Sequence, residues 1–466
     1  MRKLITTIIL FFPLLGFSQH ESTLYFMPSI SQSRYYNPAI TPLYKATIGL
    51  PGLSSIYVQY GNSGFAYKHL VSQREEDDSL MVTINDFYNK LGARNYVNFN
   101  FNVDLFHLAF KVNPRMHFML NVTPRSYNRF MFPKDIVGLV VDGNAGMINE
   151  TMSLSPEAES ISYLEYAIGG SYVIDRFWTV GARLKMLKGI SNITSEKTKL
   201  ELTTNEDYHI DMVGEGLIRT SGISQFFDDD FDIMGYSDVM ELMGNTGLAI
   251  DVGATFKPMD RLTVGMSLVD IGSIKWTKNL TNYVLNGDSA NFTFRGFDLA
   301  KLINGDDEGF DSTLDSLANR LEPTEVEGEA YSSFLPGRIY LSGSYELVRN
   351  VTANLLLMGE LYHGRFNSGI SANIHKEFGR RMSMSLSYTA NNRSYNNLGM
   401  GVSFNLNPIQ LYFVSDNLLS APFALLTDKE LNPFLRSTQN LNLRFGLNMV
   451  FGWDKQEASI SKTPEF

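Results

Sequence analysis

The chain of 466 residues has no cysteine and only 19% charged residues. Beyond its N-terminus it also lacks any apolar run near the roughly 20 residues that a membrane-crossing helix needs. Without cysteine there is no disulfide scaffold, no thiolate chemistry, no cysteine-held zinc or iron–sulfur centre and no lipid-modified cysteine. Without a long apolar run, a helical membrane bundle is not expected. Basic residues are in deficit, 39 against 49 acidic ones for a net charge of −10, so no nucleic-acid partner is expected. What is present is 44% apolar and 12% aromatic residues, too many for a disordered chain. Mean hydropathy is nonetheless −0.10. Length allows about three soluble domains or one large all-β barrel. Neutral hydropathy with many rings and few charges is an odd combination for the first.

Arg2 and Lys3 make a basic start, Leu4 to Phe17 is almost unbroken apolar, and Gly16 and Ser18 stand at −3 and −1 of a cut before Gln19. The run suits a secretory signal and is short for a span, so residues 1–18 read as a signal peptide. Its removal takes two basic and no acidic residues and moves the net charge from −10 to −12.

Apolar and small polar residues then alternate over many segments. Met382, Met384, Leu386 and Tyr388 face Ser383, Ser385, Ser387 and Thr389; Leu441 to Gly452 and Leu248 to Phe256 read the same way. Side chains of a strand point alternately to opposite faces, so each segment has one greasy and one polar face. The strands fall at 46–60, 96–110, 117–131, 162–174, 178–193, 246–257, 261–276, 337–348, 350–362, 366–377, 381–391, 396–405, 408–414 and 439–451. Tight turns at Asn113-Pro114-Arg115, Asp175-Arg176, Pro258-Met259-Asp260, Arg349-Asn350, Gly379-Arg380 and Asn407 alternate with loops at 61–95, 132–161, 194–245, 277–336, 363–365, 391–395 and 415–438. Short turns on one rim and long loops on the other predict an all-β fold: a transmembrane antiparallel barrel of about 14 strands, 46–452, with a periplasmic tail at 453–466. Tyr57, Tyr60, Phe130, Phe132, Phe177, Trp178, Trp276, Tyr362, Phe451 and Trp453 lie near strand ends, where they would form aromatic girdles.

Acidic runs sit in the loops, at 75–78, 228–232 and 306–311, and read as solvated surface rather than cation sites. Helices are expected at Pro133 to Asn144 and Leu314 to Leu321. By alternation Asp104, Glu165, Arg183, Lys185, Asp251, Glu346, Glu360 and Arg444 point inward. Such charges need partners, so they are read first as an internal salt-bridge lattice and second as a substrate-orienting network. The seven histidines are isolated and no Gly-x-Ser-x-Gly elbow occurs, so no metal site, cofactor or enzymatic activity is expected. His107 with Asp104 is the one same-strand pair for a triad, and a spacing of three sets them on opposite faces unless a bulge intervenes.

Asn37-Pro38-Ala39, after a short polar stretch and ahead of about 14 strands, resembles the element that opens FadL-like outer-membrane transporters. Gln19, the segment from Leu411 to Leu418 and the strand pair around Asn396 to Phe404 resemble the FadL-like families of Bacteroidota without assigned function. PorP/SprF-type secretion and motility components are a related group. The resemblance implies a monomeric barrel plugged near the periplasm by residues 19–45, with Asn37, Pro38 and Ala39 in the plug, and passive uptake of a small hydrophobic molecule through the outer membrane. The alternative is a structural component that contacts a protein partner through its long acidic loops. Outer-membrane lipid is a partner on either reading.

Overall fold

In a computed structural model, residues 21–453 are described except 64–70, 74–79, 83, 145, 225–242, 296–318, 363, 392–393 and 418–439. The expected signal peptide, the three acidic runs, the helix up to residue 318 and the tail beyond Trp453 lie outside the described residues. No helix among them is long and apolar enough to cross a membrane.

Fourteen antiparallel strands close into a barrel. We label them β1 (Tyr44–Gly49 and Ile56–Asn62), β2 (Arg94–Val103 and Phe106–Asn113), β3 (Met116–Pro133), β4 (Glu157–Val173), β5 (Trp178–Thr204), β6 (Asn245–Met259), β7 (Leu262–Trp276), β8 (Gly337–Val348), β9 (Val351–Tyr362), β10 (Arg365–Phe378), β11 (Met382–Asn391), β12 (Ser394–Asn405), β13 (Ile409–Ser415) and β14 (Asn440–Trp453). Each pairs with its chain neighbours, and β1 also pairs with β14, Ala46 with Phe451 and Tyr57 with Arg444. No edge is left over in the ring.

Alternation carries through the walls. On β11 Ser383, Ser385, Ser387 and Thr389 are buried, while Leu386 and Tyr388 are about half exposed. Phe99, Ile168, Leu184, Leu248, Met266 and Ile374 belong to the same exposed outer set. Three expected girdle residues depart from it. Tyr57, Trp276 and Tyr362 stand on inward positions of their strands and are buried. Trp276 donates its indole N–H to Ser333 Oγ at 2.7 Å and packs with Ile161, Tyr163, Leu187 and Ile274 inside the upper barrel.

Two walls are broken. Pro51 and Gly52 interrupt β1, since proline cannot donate to a ladder and Gly52 adopts φ +72°. The six extra residues are still tied in: Gly52 N donates to Asp104 O (3.0 Å), Asp104 N to Ser55 O (2.9 Å) and Leu447 N to Leu53 O (2.8 Å). β2 breaks opposite, between Val103 and Phe106, so Asp104 and His107 both end up inside.

The long-loop end holds more order than alternation suggested. β5 runs on to Thr204 and returns as Ile210–Ser221, across a turn in which Asn205 Oδ1 accepts the amides of Asp207 (3.1 Å) and His209 (3.0 Å). Leu280–Leu285, Phe292–Phe294 and Thr324–Glu327 extend that sheet. It has its own core of Met152, Leu154, Leu202 and Met212, against which the expected helix, Lys134–Val141, lays Ile136 and Leu139.

Leu386→Arg, on the outer face, is expected to lower stability in lipid vesicles by about 2–4 kcal/mol. Ser385→Ala next to it, facing inward, should cost far less. Urea unfolding of both variants checks the facing.

Candidate functional site

Inward faces of serine, asparagine and charge create a polar lumen, and polar groups withdrawn from water need partners. Two structures supply them. One is the N-terminal segment, residues 21–43, which carries a short helix, Ser22–Tyr25, and a 3-10 turn, Ser31–Tyr35, both buried. The other is a lattice of charge on the wall.

The segment is held on all sides. Arg444 of β14 grips Glu21 through Nε (2.6 Å) and Nη2 (2.7 Å), a two-pronged geometry that suits guanidinium and carboxylate. Asp416, just past β13, accepts Ser22 Oγ (2.9 Å) and the amide of Thr23 (2.7 Å). Gln410 Nε2 donates to Ser29 O (2.8 Å), and Ser29 Oγ meets Ser383 Oγ at 2.8 Å. The Tyr35 hydroxyl donates to Asp104 (2.8 Å) and lies 2.8 Å from His107 Nδ1. His107 Nε2 lies 2.8 Å from Ser31 Oγ. The break in β2 is thus the bulge that brings Asp104 and His107 together. It joins them to the segment by a fully buried chain of polar groups.

Asn37-Pro38-Ala39 is wholly buried and rests on a path of glycines. A β-carbon on Gly181 would lie 2.4 Å from the Pro38 carbonyl carbon, and one on Gly253 2.2 Å from Asn37 Oδ1. Only bare backbone at those wall positions admits the element. Asn37 itself donates to Tyr25 Oη (3.1 Å) and accepts the amide of Ala39 (3.0 Å), which folds the chain back on itself.

The charge lattice crosses β3 to β9. Glu165 meets Arg125 (3.0 Å), Arg183 (3.1 Å) and Lys185 (3.5 Å). Asp251 meets Arg183 and Lys185, both at 2.7 Å, and Lys185 also binds Asp270. Asp270 reaches Arg338 (3.5 Å), and Glu360 links Arg338 (3.8 Å) to Arg129 (3.4 Å). Arg183 also stacks over the Tyr35 ring at 4.7 Å, so lattice and segment touch. Of the expected inward charges, Asp104, Glu165, Arg183, Lys185, Asp251, Glu360 and Arg444 are buried in these networks. Glu346 stands apart, half-buried near the short-turn rim, its carboxylate accepting Asn350 N–H at 3.4 Å. Arg125, Arg129, Arg338, Glu21, Asp270 and Asp416 were not among the sequence candidates. Strand alternation marks the first three. Asp270 sits in a bulge with φ +60°, where it and Val269 together oppose Asp251, and counting by twos passes over it.

Between segment and lattice lies a polar cavity of about 40 Å³ lined by Arg125, Tyr127, Arg338, Arg444 and Asn102. Among the described residues no group of acids and histidines has the arrangement of a metal site.

Arg183→Met should lower stability by about 3–5 kcal/mol, because Asp251 and Glu165 are left buried without it. Replacing Arg183 and Asp251 together by apolar residues should recover much of the loss. Gly253→Val should unseat Asn37. Protease protection of residues 21–43 checks this, and protection equal to that of the unaltered protein would contradict it.

Among curated proteins none matches. The solved structures with similar traces include a FadL homologue of Pseudomonas aeruginosa, 12% identical over 90% of this chain and 94% of that one, TM-score 0.38. They also include the toluene transporter TodX of P. putida, 10% identical over 90% and 94%, TM-score 0.39, and the toluene transporter TbuX of Ralstonia pickettii, 9% identical over 94% and 99%, TM-score 0.40. At such scores the barrel assignment rests on the strand pairing itself. A family model matches residues 38–416, from the Pro38 seated on the glycine path to the Asp416 that holds Thr23, and the chain belongs to that family, the family of unknown function DUF5723.

Proposed function

We propose that the protein is a FadL-like outer-membrane channel, closed in this state by residues 21–43, that passes small hydrophobic molecules when this segment shifts. The observation that carries the reading is a set of inward apolar side chains on five strands packed against the segment. Ala109, Met119, Val269, Leu356, Met358 and Val414 face inward at the level of the segment, apart from the cluster around Trp276. Leu24, Phe26, Met27 and Ile30 cover them. A barrel needing only a polar filling has no use for such a set. Displacing the segment would uncover these apolar side chains. The exposed outer belt, the parity of turns and loops and the signal-like start of the sequence support the outer membrane as its location, with lipid around the belt.

A second reading, a structural component that binds a protein partner, is favoured by the sheet beyond the barrel, which has its own core. One experiment separates the two. Ser29 and Ser383 Oγ lie 2.8 Å apart, and the chain has no cysteine, so Ser29→Cys with Ser383→Cys introduces one disulfide that ties segment to wall. Uptake of a hydrophobic dye across intact outer membranes should stop on oxidation and return on reduction. Uptake equal to that of cells without the protein, in both states, would reject the channel. Purification of a stoichiometric partner from native membranes would then support the structural reading.

A further inference from the structure

The short-turn rim carries charge of the opposite sign to the chain as a whole. Six turns join the strands on that rim, and five of them bear arginine: Arg115, Arg176, Arg261, Arg349 and the pair Arg380-Arg381. All six side chains are exposed, and among the described residues none forms an ion pair. The acids in those turns are Asp175 and Asp260, and Asp175 is occupied, accepting the amides of Phe177 (2.7 Å) and Trp178 (2.8 Å). The turns do not require arginine. Their left-handed positions are filled by Asn350, Gly379 and Asn407, with φ +68°, +66° and +35°.

The depth of the ring is set by its neighbours. Phe177, Met259, Val348 and Phe378, each within two residues of one of these arginines, belong to the exposed apolar set at the lower ends of the strands. The Arg176 guanidinium stands 4.5 Å from the centre of the Phe177 ring. A cation placed at the end of an apolar belt meets lipid headgroups, with its stem along the acyl boundary. Guanidinium, unlike ammonium, offers a planar fork of donors that matches two oxygens of a phosphate.

We propose that this ring is a binding surface for anionic phospholipid headgroups of the leaflet facing the short turns. It rests on the outer-membrane reading. The rim then selects phosphatidylglycerol-like lipids from a mixture and anchors the barrel at a fixed depth.

The test uses the full chain folded into vesicles of phosphatidylethanolamine with one part in five of phosphatidylglycerol, and the variant with all six arginines changed to glutamine. Heat-modifiable migration on gels shows which samples are folded. Native mass spectrometry of the extracted barrel reads the retained lipid. The unaltered protein should retain phosphatidylglycerol above its share of the mixture, and the variant should lose that enrichment by about ten-fold. The six-lysine variant should fall between them, since it keeps the charge and loses the fork. Equal retention by all three would overturn the inference. Should the six-fold variant not fold, Arg115, Arg176 and Arg261 changed alone, and Arg349, Arg380 and Arg381 changed alone, should each lose part of the enrichment, and no loss in either would overturn it. Failure to insert into vesicles of any composition would instead count against the membrane reading. Folding with no preference for phosphatidylglycerol leaves that reading intact and rejects the ring.

Discussion

Pairing of β1 with β14 removes both edges of the sheet and in the same step divides its side chains into an outer apolar set and an inner polar one. Water-seeking groups on the inner face are confined to a tube of fixed size. Each must find a partner there. Everything else inside the barrel answers that constraint. The wall pairs its own charges across β3 to β9, and the N-terminal segment brings hydroxyls, amides and Glu21 to the groups the wall leaves over.

The two fillings differ in what would move. The lattice is welded through carboxylates with two or three cations each, on strands that cannot separate without breaking the ring. The segment is held by one ion pair and many single hydrogen bonds to separate strands. Hydrogen bonds of this kind contribute about 1 kcal/mol each and exchange readily for water. Against it pack inward apolar side chains of five strands, from Ala109 to Val414, which make no polar demand. On the proposed reading, a segment held by separable bonds over inward apolar side chains would serve as the gate.

Much of this was legible in the sequence, because alternation on a half-buried wall is a strong period-2 signal. The order and facing of strands such as β11 and β14, and the helix at Lys134–Val141, follow from it directly. The misses arise where the period breaks. Pro51-Gly52 marks an interruption in β1, yet only pairing shows that β2 breaks opposite and turns Asp104 and His107 the same way. Asp270 hides in a bulge. Trp276 and Tyr362 look like girdle residues because they lie near strand ends, and only their register sends them inward. The sheet built on Ile210–Ser221 reads as loop in the sequence, since apolar pairs such as Met212-Val213 and Leu217-Ile218 break the two-residue alternation there.

The central claim is that residues 21–43 are the movable part of what closes the barrel. Ion conductance across planar bilayers tests it most directly, comparing the full chain with a variant lacking those residues whose folding is shown by heat-modifiable migration. The full chain should be nearly silent and the shortened one should open large, steady steps. Equal silence from a folded, shortened barrel, or equal conductance from both, would contradict the claim.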